Sequence, residues 1–183
     1  MHQAVGCKGS VSFILEAGKI ASAEFKMQGV AATPSDIDAP TGVTYETTLP
    51  PIVESSTFSL NSLPLIAQAL KIDVANEVIK RDDLSSASGL KGFAITGRKV
   101  SGSLNPEAVL LATYDIRADW LIAEKRALSM VLGSAAGNKV TITAPKLVID
   151  KMDTGERNGI VTDELSFTLA GNVGGDELVL KFE

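Results

Sequence analysis

The sequence predicts a mainly β protein, a β-sandwich or open barrel with one flanking α-helix. Three observations carry this expectation. Apolar and polar residues alternate with a period of two through most of the chain. Glycine, proline, asparagine and aspartate punctuate those runs at short intervals. A single long segment, 114–126 from Tyr114 to Arg126, shows helical spacing of its apolar residues instead.

The elements follow in order. In 8–16, Val11, Phe13 and Leu15 alternate with Ser10, Ser12 and Ile14. A turn is predicted at Ala17-Gly18-Lys19. In 20–28, Ala21, Ala23, Phe25 and Met27 fall on one face and Ser22, Glu24, Lys26 and Gln28 on the other. This polarity predicts a hairpin with one face on a core and one in water. Residues 29–51 hold Pro34, Pro40, Pro50 and Pro51, which remove backbone donors and argue against regular structure. Such a connection is long for a compact domain and points to function or disorder.

Strand patterning resumes at 52–60. Leu65, Ile66, Ala69 and Leu70 would fit a helical turn, but Leu70, Ile72 and Val74 alternate, which favours a strand over 67–74. A polar loop over 85–89 precedes a mixed strand over 93–105, interrupted by Gly97 and Gly102. In the helix, Ile116, Trp120, Ala123 and Ala127 form one apolar face, with Trp120 as the core anchor. Asp115 near its start and Lys125 and Arg126 near its end oppose the helix dipole favourably, and Thr113 or Asp115 supplies the cap. Strands follow at Leu128, Met130 and Leu132, at Val140, Ile142 and Ala144, and over 146–152. Residues 153–159 read as a polar loop. A long strand through Val161, Leu165, Phe167 and Leu169 and a last one through Leu178, Leu180 and Phe182 end the chain.

The chain has 183 residues and a net charge of −5, without a run of Lys and Arg. Gripping nucleic acid needs clustered positive charge, so that function class is disfavoured. No apolar stretch is long enough for a helical membrane span, residues 1–10 do not read as a signal peptide, and no membrane partner is expected. The one cysteine, Cys7, cannot form an internal disulfide and reads as a small buried hydrophobe.

Catalytic chemistry needs ionisable groups held together, and the chain offers one histidine, His2, near its end. No phosphate loop, dinucleotide fingerprint or nucleophile elbow is present. Asp82-Asp83 and Asp163-Glu164 read as solvated charge pairs, with calcium ligation the lesser alternative. No catalytic residue, cofactor or metal is therefore expected. The phenylalanines Phe13, Phe25, Phe167 and Phe182 sit on apolar strand faces, which weakens a sugar-stacking role.

Five pieces, in order, span nearly the whole chain. Gly6-Cys7-Lys8-Gly9-Ser10-Val11-Ser12-Phe13 runs into Leu15-Glu16-Ala17-Gly18-Lys19. Phe25-x-x-x-Gly29 leads to the loop ending Leu49-Pro50-Pro51. Ile72-Asp73-Val74-x-Asn76-Glu77-Val78-Ile79-x-Arg81-Asp82 follows. Ala136-Gly137-Asn138 precedes Val140-Thr141-Ile142-x-Ala144-Pro145, and Gly175-Asp176-Glu177-Leu178 comes last. In this order they resemble the tail tube, or major tail, family of long-tailed bacteriophages and prophages.

The resemblance implies a virion structural protein, made in the bacterial host cytoplasm and placed in the tail. Copies would join head-to-tail into stacked rings, hexameric or pseudo-hexameric, between tail-tip and tail-terminator proteins. DNA would pass through the lumen without specific binding. On this reading Ser22, Glu24 and Gln28 face the lumen, and Ile37, Val43 and Tyr45 in the long loop contact the adjacent ring. Relatives are longer, with a further domain before the segment that begins here. Residues 1–183 are thus expected to be one tube domain, either alone or as the C-terminal part of a two-domain protein. A type VI or contractile-injection tube subunit and a β-sandwich module binding glycan or protein stay open as alternatives.

Overall fold

In the computed structural model every residue except Pro40 and Ser55 is described. Pro40 belongs to the proline-rich loop and Ser55 to the expected 52–60 strand, so those two positions lie outside the described residues.

β1 (Ala4–Glu16) and β2 (Ser22–Ala31) form the predicted hairpin. Gly18 turns it with φ 76°, a conformation that glycine adopts without a Cβ penalty. After the long loop come β3 (Thr57–Leu60) and β4 (Leu63–Pro64), then β5 (Ala67–Asp73). Asn61 and Ser62 join β3 to β4 with φ 52° and 63°, as a two-residue hairpin turn requires. β6 (Asn76–Asp82) and β7 (Leu90–Arg98) make a separate two-stranded ribbon. β8 (Ser101–Pro106), α1 (Ile116–Leu121), β9 (Arg126–Leu132), β10 (Val140–Arg157), β11 (Ile160–Ala170) and β12 (Val179–Phe182) complete the chain.

Among the described residues ten strands form one antiparallel sheet in the order β2-β1-β5-β8-β11-β10-β9-β3-β4, with β12 also on β10. The sheet folds over on itself at β10. Up to Ala144 this strand pairs with β9 and β12, and from Lys146 onward with β11. Pro145 sits at the crossing, where a ladder donor is not needed. The register writes the core as two rows across the sheet. One runs Ala23, Phe13, Ile72, Gly102, Phe167, Ile149 and the other Leu15, Leu70, Leu104, Leu165, Met152. Leu128, Met130, Leu132 and Ile142 from the second layer join the same buried cluster. Each such side chain contributes roughly 1.5–3 kcal/mol on burial.

Several expectations change. The helix is six residues long, not 114–126. Asp115 caps its start by accepting from the Ala118 N–H at 2.9 Å. Ala123 turns left-handed with φ 51°, which ends it. Arg126 then opens β9, so Ala123 and Ala127 are exposed rather than on an apolar helix face. Residues 153–157 are not loop but the far end of β10, laddered to β11 through a turn at Asn158-Gly159. The 93–105 strand is two strands, β7 and β8, in different sheets. Cys7 is exposed, because the far end of the β1–β2 hairpin extends past the core. For the same reason Phe25 is exposed; Phe182, on the last strand, is exposed as well.

Candidate assembly surfaces

The face opposite the core rows is largely polar across six strands. One row runs Glu24, Ser12, Asp73, Ser101, Thr168 and ends on Val148, and the next runs Ser22, Ile14, Lys71, Ser103, Ser166, Lys151. Period-two alternation puts these side chains on one side, because polar and core rows succeed one another along β1 through Ser12, Phe13, Ile14 and Leu15. Small hydroxyls dominate the middle, where a shallow concavity of about 320 Å³ is lined by Lys71, Asp73, Ser101, Ser103, Asp150 and Ser166. Charges on this face are locally balanced. Lys26 lies 3.7 Å from Glu24 and Lys151 2.5 Å from Asp153. Thr168 Oγ1 donates to Asp150 Oδ2 at 2.5 Å. Ser22, Glu24 and Gln28 lie on this face, at its β2 border, and are exposed.

Two sheet borders carry unsatisfied backbone. β2 ends the sheet, so among the described residues its ten-residue outer side pairs with no strand. It contains no proline and no bulge of its own; Glu24 and Lys26 are the charged residues it carries against indiscriminate edge pairing. Among the described residues β10 past Leu147 pairs only with β11, leaving its other side without a strand partner along the far half. The opposite end of the sheet is different. β4 is two residues long and closes on Pro64.

Apolar side chains stand uncovered beside these borders. Phe25 and Met27 on β2 are 67% and 56% exposed. Leu121 and Ile122, at the end of α1, are 72% and 69% exposed. In the long loop Ile37, Val43, Tyr45 and Leu49 all face solvent. That loop has no strand or helix from Ala32 to Pro51 among its described residues. It is tethered near its ends: Ser35 N–H donates to Met1 O at 3.2 Å and Asn138 Nδ2 to Leu49 O at 3.1 Å. Ile37, Val43 and Tyr45 are not among the residues that line the concavity on the polar face.

A clasp holds α1 against the sheet. Asp119 is 4% exposed and accepts from Arg126 Nε at 2.8 Å, Arg126 Nη2 at 2.7 Å and Tyr114 Oη at 2.5 Å. The Arg126 hydrogen bonds hold its carboxyl below the usual range, against the opposing effect of burial. Desolvation, then Asp119, raises the Tyr114 phenol. Trp120 is half-buried, packs against the core, and donates from Nε1 to Asp150 O at 3.4 Å. The carboxyl of Asp163 is raised by burial, with Arg117 opposing the shift.

A two-faced sheet with an unpaired edge and exposed apolar groups beside it suits a protein that assembles with copies of itself. The chain matches the phage tail tube protein family over residues 1–169 and belongs to it. It is a structural subunit of a phage tail tube and a component of the virion tail. Comparison with curated proteins returned no match. Solved structures that show similarity include the following two. The tail of an empty gene transfer agent particle, computed by helical refinement with C6 symmetry, is 19% identical, with 65% of this chain and 83% of that chain covered and a TM-score of 0.42. The virion of a native gene transfer agent particle is 19% identical, with 71% and 83% covered and a TM-score of 0.32.

Sequence reasoning missed the polar residues of β5, β8 and β11 as one surface with β2. Alternation marks each strand's two faces, but only the strand order reveals which faces are continuous. It also missed β6, whose ribbon buries little on either side and so lacks clean alternation.

Proposed function

We propose that copies of this chain join head-to-tail into closed six-fold or pseudo-six-fold rings, and that the rings stack into a tube that conducts DNA. The polar face across β2, β1, β5, β8, β11 and β10 is the lumen wall, with Ser22, Glu24 and Gln28 at one border. The observation that carries this reading is the continuity of that face, uncovered over six strands, beside a free ten-residue edge. A curved wall needs such a face, and a ring removes such an edge. The wall is rich in hydroxyls and balanced in charge, and the subunit is net acidic at −5. Phosphates therefore find no clustered cations to hold them, and DNA slides instead of binding.

The loop carrying Ile37, Val43 and Tyr45 reaches the adjacent ring and buries those side chains there. The 183 residues act as one tube domain with Trp120 anchoring α1, and the chain performs no catalysis. It is made in the host cytoplasm, and tail-tip and tail-terminator proteins close the ends of the stack. Negative-stain electron microscopy of the concentrated protein, alone and seeded with tail-tip complex, tests the reading. Rings or tubes with a stain-filled channel are expected. A monomer under all these conditions would overturn it.

A further inference from the structure

Ring closure requires two different borders of the subunit to fit each other, and the fold singles out the pair. We propose that the free edge of β2 on one copy pairs, antiparallel, with the open side of the far half of β10 on the next. This rests on the tube reading above and names its seam.

Direction comes first. Every neighbouring pair in β2-β1-β5-β8-β11-β10 is antiparallel, and six strands separate the borders inclusively. β2 and β10 therefore run in opposite senses. Rotating a copy about the tube axis keeps its up direction, so β10 of one copy meets β2 of the next as an antiparallel pair. The same rotation keeps all polar faces on one side, and the lumen wall continues across the seam without inversion.

Length selects β10 over the alternatives. β12 offers four residues and β4 two, ending in Pro64, which cannot donate. The open side of β10 begins where Trp120 Nε1 touches Asp150 O, and runs on through Met152 to Arg157. That is a length a ten-residue partner spans.

The apolar groups agree with this pairing. Phe25 lies opposite Val11 and Met27 opposite Gly9, so both belong to the core-side face of β2. Although β7 approaches β2, the described residues leave both side chains more than half uncovered. At the other border, α1 supplies a second layer over β10 and β11: Tyr114, Ile116 and Arg117 share a cavity wall with Met152, Thr154 and Val161. The chain then leaves α1 through Leu121 and Ile122 to reach Arg126, opposite Leu147 on the open side of β10. The uncovered Leu121 and Ile122 thus flank the open border, in the same layer as Phe25 and Met27. One border has a bare sheet face, and the other an overhanging apolar cover. Head-to-tail packing joins them.

The test uses disulfide trapping. Cys7 is the sole cysteine and is removed as Cys7→Ser. Phe25→Cys with Ile122→Cys is compared with Phe25→Cys with Phe182→Cys, the latter probing a β2–β12 seam. Tubes are assembled, oxidised and run on a non-reducing gel. The first pair is expected to give a covalent ladder that stops at the ring number, and the second only monomer. Tubes that form without a ladder from the first pair, or with one from the second, overturn the seam but leave the tube reading intact. Failure of the unsubstituted chain to form tubes overturns both. A second variant, Phe25→Asp with Met27→Asp, is expected to melt as the wild-type monomer does and to lose assembly at least tenfold in critical concentration. Normal tubes from that variant would also overturn the seam.

Discussion

Replacing Asp119 by asparagine isolates the clasp that fixes α1. The substitution keeps the shape of the side chain and removes its charge. Arg126 then keeps its donors with no anionic partner, and the Tyr114 hydroxyl loses a charged acceptor. Breaking a buried pair by removing one partner costs about 3–5 kcal/mol. The Arg126 side chain is 29% exposed and regains some water, which places the expected loss near the lower end, about 3 kcal/mol. For a domain of this size, each kcal/mol moves Tm by about 2–4 °C, so a fall of about 6–12 °C is expected by calorimetry of the unassembled subunit. The sign of the pH effect follows from the depressed carboxyl. Its stabilisation is fully present above the unfolded value near 4 and disappears as pH falls through the lower native value. The wild type should therefore lose its advantage over Asp119→Asn on acidification below about pH 4. A variant melting within about 2 °C of wild type at neutral pH, no more than about 1 kcal/mol and far short of the expected fall, would refute the clasp as a stabilising device.

Three further outcomes are expected. Gly102→Ala would push a Cβ into the Phe167 ring and the Lys71 carbonyl, and should destabilise by about 1–3 kcal/mol in urea unfolding. Replacing Glu24 and Asp73 together by lysine should leave tube formation intact and slow genome ejection, read as DNA release over time, because the lumen wall would then hold phosphates. Deleting residues 33–42 should give a folded subunit, by circular dichroism, that no longer polymerises; normal tubes from it would make the loop a passive connector.

Alternation made the strands legible because a half-buried strand has to alternate. It could not tell what covers the apolar face. Phe13 and Phe25 follow the same pattern in the same hairpin, yet Phe13 packs on the core while Phe25 lies exposed at the border. The difference is a second layer, set by strand order and invisible to local pattern. The helix was overextended for a related reason. Ala123 and Ala127 keep helical spacing, but alanine carries little burial energy, and the pairing of Arg126 with both Asp119 and the β9 ladder decides the end. The far end of β10 looked like a loop because Asp153, Gly155 and Glu156 are polar. Its ladder to β11 holds it extended, and the informative residues were Asn158-Gly159, a two-residue turn with φ 53° and 82°.

The lumen and seam residues form no sequence motif, and the physics of the task explains why. A wall that guides a polyanion needs many small polar groups with no cluster of charge, and any strand with period-two polarity supplies its share. Ser12, Asp73, Ser101 and Thr168 come from four strands and meet only through register. No single hydroxyl among them is indispensable, whereas a charge of one sign repeated around a ring is amplified by the number of copies. Substitutions on the polar face should therefore be tolerated singly when neutral and penalised when cationic. Substitutions at the seam should follow the opposite rule, since Phe25, Met27, Leu121 and Ile122 act by apolar area and any charge placed there is desolvated in every copy. Scanning both surfaces with serine and with lysine separates them: serine harms the seam and spares the wall, while lysine at the wall spares assembly and retards DNA.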